Sequence, residues 1–248
     1  MTETPTDGTF VTVDRRPDGV AVLRIDHPDR NALSMSVLTQ IQAAAEDLTA
    51  DPPGAVVVWG GPLLFSSGGD ASEFDHFDAE IGRRIADTFH GANDALAAIP
   101  RATIAAVTGV ASGGGLEAAL ACDFRVAAVD AQFGQYEINM GLFPGGGGTQ
   151  RLPRLVGISR AKELILSGEL VDAAEALRIG LVNKVVESGD VFDTALAWAA
   201  SFAAGPVGSQ GAAKGVVDGG ADLPLTDALR LERDRFVRLF DDWNPAGA

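Results

Sequence analysis

Two glutamates and two glycine-bearing turns hold the residue types that could do chemistry in this sequence. Glu117 closes the stretch Ser112-Gly113-Gly114-Gly115-Leu116-Glu117, and Glu137 ends Phe133-Gly134-Gln135-Tyr136-Glu137. The β-branched run Thr103-Ile104-Ala105-Ala106-Val107 predicts a buried strand that Gly109 ends. Three glycines follow, and then 116–121, a helix-forming run. Strand, glycine turn and helix in that order leave unpaired N–H groups at a helix N-terminus. Glycines let a ligand come close to them, so the place suits a phosphate or an oxyanion. A second such turn, Phe65-Ser66-Ser67-Gly68-Gly69-Asp70, follows the apolar run 55–59. If the two strands are neighbours, N–H groups from both turns converge on one oxygen as a main-chain oxyanion hole. Two carboxylates beside such a hole can deprotonate a water on one side and deliver a proton on the other. Each feature also has an ordinary reading. Either turn taken singly can be a tight turn, and a glutamate in the first helical turn can simply offset the helix dipole.

Other chemistries find less support. The run 145–148 is followed by no Gly-Lys-Ser/Thr, so it is not a Walker-type phosphate loop. No Gly-x-Gly-x-x-Gly follows the first strand, and no Gly-x-Ser-x-Gly elbow exists; Ser112 has no evident histidine partner. His27, His76 and His90 are scattered, without an i, i+4 pair, and no metal site is expected. His90 is placed on the exposed side of its helix. Cys122, the one cysteine, reads as a small core residue. Arg83-Arg84 and the mixed charges of 227–238 read as solvated helix faces.

These residues need elements to position them. Hydrophobic spacing predicts strands over 10–14 and 20–26, joined at Pro17-Asp18-Gly19. Next comes a helix capped by Ser34 or Ser36, with Leu38, Ile41, Ala45 and Leu48 at steps of three and four, stopped by Asp51-Pro52-Pro53-Gly54. The run 55–59 has the continuous apolar character of a parallel strand buried on both faces. A long helix, with Phe77, Ile81, Ile85, Phe89, Ala92, Leu96 and Ile99 along its apolar stripe, ends at Pro100. After the Glu117 helix come a strand over 124–129, an irregular loop over 133–139, and a short helix capped by Thr149. Then helices dominate. One over 159–166 stops at Gly168, and a capping box from Asp172 to Glu175 opens another that closes at Gly180. After a last strand within 181–186, helices run over 190–204, 207–217 and 225–243, with a glycine-rich joint at Asp218-Gly219-Gly220.

A chain of 248 residues can bury a sizeable core. Its net charge of −15 argues against nucleic acid, because a backbone binder needs a basic face. A small anionic ligand would need only local positive potential. One cysteine permits neither an intrachain disulfide nor a cysteine-based metal site. No apolar stretch is long enough to span a membrane, and the polar N-terminus has no signal-peptide pattern. A cytoplasmic protein is the expectation.

The stretch from Ala105 through Glu117 to Asp123, followed by that from Phe133 through Glu137 and Pro144-Gly145 to Leu152, resembles the enoyl-CoA hydratase/isomerase (crotonase) superfamily. The likeness extends to His27-Pro28-Asp29-Arg30-Asn31-Ala32-Leu33, to Phe65–Asp70 and to 167–182, and covers 10–202. It implies an α/β fold, a crotonase-like spiral of ββα units with a helical C-terminal trimerisation region. Residues 1–9 would be a flexible tail, 10–188 the spiral core and 189–248 the helical region. The implied activity is a hydro-lyase, reversible hydration of a 2-enoyl-CoA to a 3-hydroxyacyl-CoA. The alternatives are Δ3-Δ2-enoyl-CoA isomerase or another crotonase reaction, or a non-catalytic acyl-CoA-binding protein. By the resemblance, the N–H groups of Gly69 and Gly114 hold the thioester oxygen. Glu117 activates the water that attacks C3, and Glu137 supplies the proton at C2. Arg30, Ala32, Leu33, Gly68, Asp70, Ala71, Gly113, Pro144 and Gly145 would lie along the coenzyme A thioester. No cofactor is implied, since coenzyme A is part of the substrate. A homotrimer or dimer of trimers is implied. Two departures stand out: Gly69 occupies a position more usually alanine, and the chain stops at Ala248, short of the further helices that commonly close the acyl pocket.

Overall fold

The computed structural model describes residues 8–74 and 78–240. Most of the expected 1–9 tail, His76, Phe77 and the stretch from Trp243 to Ala248 lie outside those residues.

After β1 (Val11–Arg15), the chain makes four turns, each with two strands and then a helix. The first is β2 (Val20–Ile25), β3 (Ala32–Leu33) and α1 (Met35–Ala50). The second is β4 (Ala55–Trp59), β5 (Gly68–Gly69) and α2 (Ala79–Ala98). The third is β6 (Ala102–Val107), β7 (Val110–Ser112) and α3 (Gly114–Ala121). The fourth is β8 (Phe124–Ala128), β9 (Gln132–Gly134) and α4 (Gly148–Val156). The remainder is α5 (Ile158–Ser167), β10 (Val171–Asp172), α6 (Ala173–Arg178), β11 (Lys184–Val186), α7 (Val191–Ala203), α8 (Val207–Gly220) and α9 (Leu225–Arg238).

The first strand of each turn enters one six-stranded sheet, ordered β1-β2-β4-β6-β8-β11. Only the β1–β2 hairpin at its edge is antiparallel. The second strand of each turn joins a smaller layer, β3–β5 or β7–β9–β10, and a bridge between Ser66 and Ala111 links the two parts. This is the ββα spiral implied by the resemblance. Central strands are apolar on both faces because both are covered: Val56, Val57 and Val58 are fully buried, and α7 packs across β4, β6 and β8. Trp59 stacks on Phe192 of α7 with ring centroids 4.1 Å apart.

Ser34 is the cap of α1, its Oγ accepting from Val37 N at 3.2 Å. Asp172 caps α6 as expected, accepting from Glu175 N at 2.8 Å. Four readings change. Val110-Ala111-Ser112 is a strand, not part of the glycine turn, and 133–139 is not an irregular loop but strand β9 and a 3-10 turn, Glu137–Met140. These short strands exist because they pair with each other and with β10, partners remote in sequence. Thr149 lies inside α4, whose N-cap is Gly147 at φ +110°; the reason is the Glu117 contact described below. Finally, Asp218-Gly219-Gly220 continues α8 rather than breaking it. A Cβ on Gly219 would stand 3.3 Å from the Leu231 side chain, so the glycines let α9 pack close. Lys214 ties α8 to the sheet, with Nζ 2.9 Å from Asp123 Oδ2 and 3.1 Å from the Arg101 carbonyl. No helix among the described residues is long and apolar enough to cross a membrane.

Candidate active site

The two glycine turns lie side by side. Their parent strands β4 and β6 are neighbours in the large sheet. The turns themselves are joined by the Ser66–Ala111 bridge and by Ser112 Oγ, which donates to the Ser67 carbonyl at 2.9 Å. The Cβ position of Gly68 is 3.6 Å from the Gly114 nitrogen. Gly114 is the first residue of α3, so its N–H has no acceptor within the helix. Gly113, the N-cap, has φ +51° and ψ −128°, a conformation that L side chains rarely adopt. Its Cβ position is 3.3 Å from Glu137 Oε1, so the backbone itself lies against that carboxylate.

Glu117 stands in the first turn of α3 and is only 2% exposed. Its Oε1 accepts from the N–H groups of Gly146 and Gly148, both at 2.8 Å. The glycine run before α4 is therefore capped by a distant carboxylate rather than by Thr149. Burial pushes the Glu117 carboxyl above the usual range. The two N–H groups and the charges of His90 and Arg151 oppose that shift. A Cβ on Gly146 would stand 2.6 Å from Glu117 Oε2, so no larger residue fits there without moving the carboxylate. The Gly146 carbonyl accepts from Asn93 Nδ2 at 2.8 Å and from Arg151 Nη1 at 3.3 Å. Arg151 is itself held by Asp94 at 2.6 Å.

Glu137 starts the 3-10 turn after β9. Burial, reinforced by the like charge of Glu117, pushes its carboxyl up to about 7, against a backbone hydrogen bond that favours the ionised form. Gln135 is fully buried. With its amide nitrogen turned toward the carboxylate, as the acceptors around it require, it donates to both Glu137 oxygens at 3.1 and 3.2 Å. The chain thus presents two electrostatically coupled carboxylates at one helix N-terminus, beside two adjoining glycine turns. Such a pair can divide one acid and one base role between its members.

The residues expected along coenzyme A fall into two groups. Ala32 and Leu33 pair in register with Gly68 and Gly69, and Ser67 N donates to the Arg30 carbonyl at 3.1 Å. Arg30, Ala32, Leu33, Gly68, Asp70 and Ala71 therefore share one strip. Arg30 is exposed at φ +47°. Asn31 locks the strip, accepting from His27 N at 2.8 Å and donating to the Phe65 carbonyl at 3.2 Å. Asp70 accepts from Ser72 N and Oγ, opening the 3-10 turn Ala71–Phe74. Pro144, buried, and Gly145, exposed, precede the Gly146–Gly148 loop on the glutamate side, and Gly113 lies on that side too, against Glu137. Sequence reasoning missed Gln135, Asn93, Gly146 and Gly148. The available signals were an asparagine on the inward face of α2, beside Ala92, and a glutamine two residues before Glu137.

A cavity of about 740 Å³, lined by neither carboxylate, lies between α4, α8 and the end of α3. Its four cations are already engaged: Lys214 with Asp123, Arg154 with Asp222, Arg151 with Asp94, and Arg125 with the Leu181 and Cys122 carbonyls. Cys122 is buried and its thiol is pushed up to about 12, consistent with a core role. Among the described residues, no group of three or more His, Cys, Asp or Glu could hold a metal ion.

The family model for enoyl-CoA hydratase/isomerase matches residues 15–244. A protein of Mycolicibacterium paratuberculosis named probable enoyl-CoA hydratase echA17 is 42% identical over 91% of this chain and 88% of its own length. A Mycobacterium tuberculosis protein named probable enoyl-CoA hydratase EchA17 is 42% identical over 96% of this chain and 93% of its own. Among solved structures, Pseudomonas aeruginosa DspI is 40% identical with a TM-score of 0.91, covering 98% of this chain and 100% of that one. An enoyl-CoA hydratase from Bacillus anthracis is 32% identical with a TM-score of 0.88, covering 92% of this chain and 90% of that one.

Proposed function

This chain belongs to the enoyl-CoA hydratase/isomerase family of crotonase-fold enzymes, and on that premise we propose that it reversibly hydrates a 2-enoyl-CoA to a 3-hydroxyacyl-CoA. The observation that carries this reading is the placement of two buried carboxylates at the N-terminus of α3 beside the glycine turns: Glu117 in its first turn, and Glu137 against the Gly113 backbone, its carboxyl pushed up by burial to about 7.

Adding water to a conjugated thioester builds negative charge on the carbonyl oxygen. Fixed N–H dipoles stabilise that charge without reorganising, and Gly69 and Gly114 are the donors in this reading. Glu117 Oε1 is occupied by two N–H groups. This leaves Oε2 to hold the water and take its proton as oxygen bonds to C3. Glu137, held by Gln135, gives its proton to C2 as the enolate collapses. In the dehydration direction the two exchange roles. The strip from Arg30 to Leu33 with Gly68 to Ala71, and Pro144-Gly145 across the site, receives the coenzyme A thioester. Exposed Arg30 supplies local attraction despite the net charge of −15. The proposal includes no cofactor, coenzyme A being part of the substrate.

Loss of the conjugated thioester absorbance of crotonyl-CoA tests the reading. Glu117→Gln and Glu137→Gln are each expected to lower kcat by about 10³-fold or more. Isomerisation of a 3-enoyl-CoA that survives Glu117→Gln would instead support the isomerase. Tight binding of acyl-CoA without turnover would support a binding protein.

A further inference from the structure

Asn93 is 1% exposed and lies on the inward face of α2. Its amide orientation is fixed by chemistry. Nδ2 is 2.8 Å from the Gly146 carbonyl, which can only accept, so the nitrogen must face it. The Asn93 Oδ1 is then buried with no hydrogen-bond partner among the described residues. A buried amide oxygen left unmatched costs about 1–3 kcal/mol, and buried polar atoms without partners are uncommon.

Its surroundings give that oxygen a use. The point where a Gly146 Cβ would stand is 2.6 Å from Glu117 Oε2 and 3.0 Å from Asn93 Nδ2. The amide and the carboxylate therefore flank the same residue. Gly146 connects them covalently as well: its carbonyl is held by Asn93, and its N–H donates to Glu117 Oε1. The two groups lie on either side of one Cα, so releasing the carbonyl frees the loop segment that presents the N–H. We propose that Asn93 is a positioning residue for Glu117. Its NH₂ group sets the Gly146 N–H on the carboxylate, and its Oδ1 is a further acceptor for the water that Glu117 activates. The water half rests on the hydratase reading above; the clamp half does not.

The groups facing Glu117 besides Asn93 are His90 of α2, Arg151 of α4 and Glu137. Arg151 also holds the Gly146 carbonyl, at the longer distance of 3.3 Å, so it is a weaker second clamp. Losing the Asn93 contact loosens an N–H that favours ionised Glu117. The Glu117 titration must therefore move to higher pH, whereas simple loss of packing would lower stability without moving it.

The test titrates the ¹³C carboxyl resonance of Glu117, assigned by its disappearance in Glu117→Gln, in the native chain, Asn93→Leu and Asn93→Asp. Asn93→Leu removes both contacts, and Asn93→Asp keeps an acceptor while removing the donor. An upward shift of about one pH unit in Asn93→Leu supports the clamp; an unshifted titration in a folded variant overturns it. Crotonyl-CoA kinetics then test the water. Asn93→Leu is expected to lower kcat about ten- to hundredfold, with KM changed less than about threefold. Asn93→Asp should retain more of kcat than Asn93→Leu does. Equal losses in the two variants, or a loss confined to KM, overturn the water contact. If Glu117→Gln leaves hydration intact, the hydratase reading fails and the water contact with it, while the titration still decides the clamp.

Discussion

At the residue scale, two carboxylates of the same type are set apart by their neighbours. Glu117 is the more deeply buried, yet it has two N–H donors and the charges of His90 and Arg151 to favour its ionised form. Glu137 has the Gln135 amide, and the charge of Glu117 acts against its ionisation. The negative charge of Glu117 thus helps keep Glu137 protonated. A reaction needing Glu117 ionised and Glu137 protonated should therefore show a bell-shaped pH dependence of kcat/KM. The rate should fall on the alkaline side as pH rises through about 7, the Glu137 value, and on the acid side as Glu117 takes up a proton. Stability follows the same titration. The folded value of Glu137 lies above its usual 4.5. Its contribution to stability is thus fully present below pH 4.5 and lost as pH rises through about 7. Glu137→Gln removes that loss. It should raise Tm at pH 8 by about 2–5 °C and leave Tm at pH 4.5 nearly unchanged, as calorimetry at the two pH values will show.

At the element scale, the site depends on the passage from β7 into α3. Gly113 turns the chain with φ +51° while touching the Glu137 carboxylate. Gly113→Ala meets both constraints together. It should lower stability by about 1–3 kcal/mol and lower kcat, and denaturant unfolding beside crotonyl-CoA turnover measures the two effects. The control is Gly215→Ala in α8, where nothing stands within 4 Å of the Cβ position and alanine is the better helix former by about 1 kcal/mol. It should stabilise or leave stability unchanged. Much of this level was legible beforehand. Hydrophobic spacing located α1, β4 and α2, because their burial patterns follow a helical or strand period. Val110-Ala111-Ser112 and Gln132-Phe133-Gly134 were not legible as strands. Each is three residues long, too short for a period, and is extended only because the other lies beside it.

At the scale of the whole molecule, helices from the last third hold the sheet from outside. α7 covers the face of the large sheet, and Lys214 of α8 pairs with Asp123 at the end of α3. Asp123 also accepts from Thr103 N and Oγ1, so it would remain largely desolvated without its cation. Lys214→Met should therefore cost about 1–3 kcal/mol in urea unfolding. Beyond that joint, α9 exposes Leu225, Leu229, Phe236 and Val237. This is more apolar surface than a surface helix usually leaves to water. Assembly through the C-terminal region, as the resemblance implies, should give a mass of three or six chains of 25.6 kDa by light scattering. Leu229→Glu with Phe236→Glu should lower it to one.

Residue order alone shows the family, through long joined motifs, and the identity of both glutamates and both glycine turns. It also determined most elements, since apolar spacing and capping residues act locally. The folded chain was needed to make β4 and β6 neighbours, which brings the two turns together, and to let Glu117 cap α4 from a distance. It alone set Asn93 beside Glu117 and placed Gln135 on Glu137. The physical reason is the same in each case. A hydrogen bond between residues far apart in the chain leaves no local periodicity, and a carboxylate's proton affinity depends on burial and neighbouring charge that exist only once the chain has closed around it.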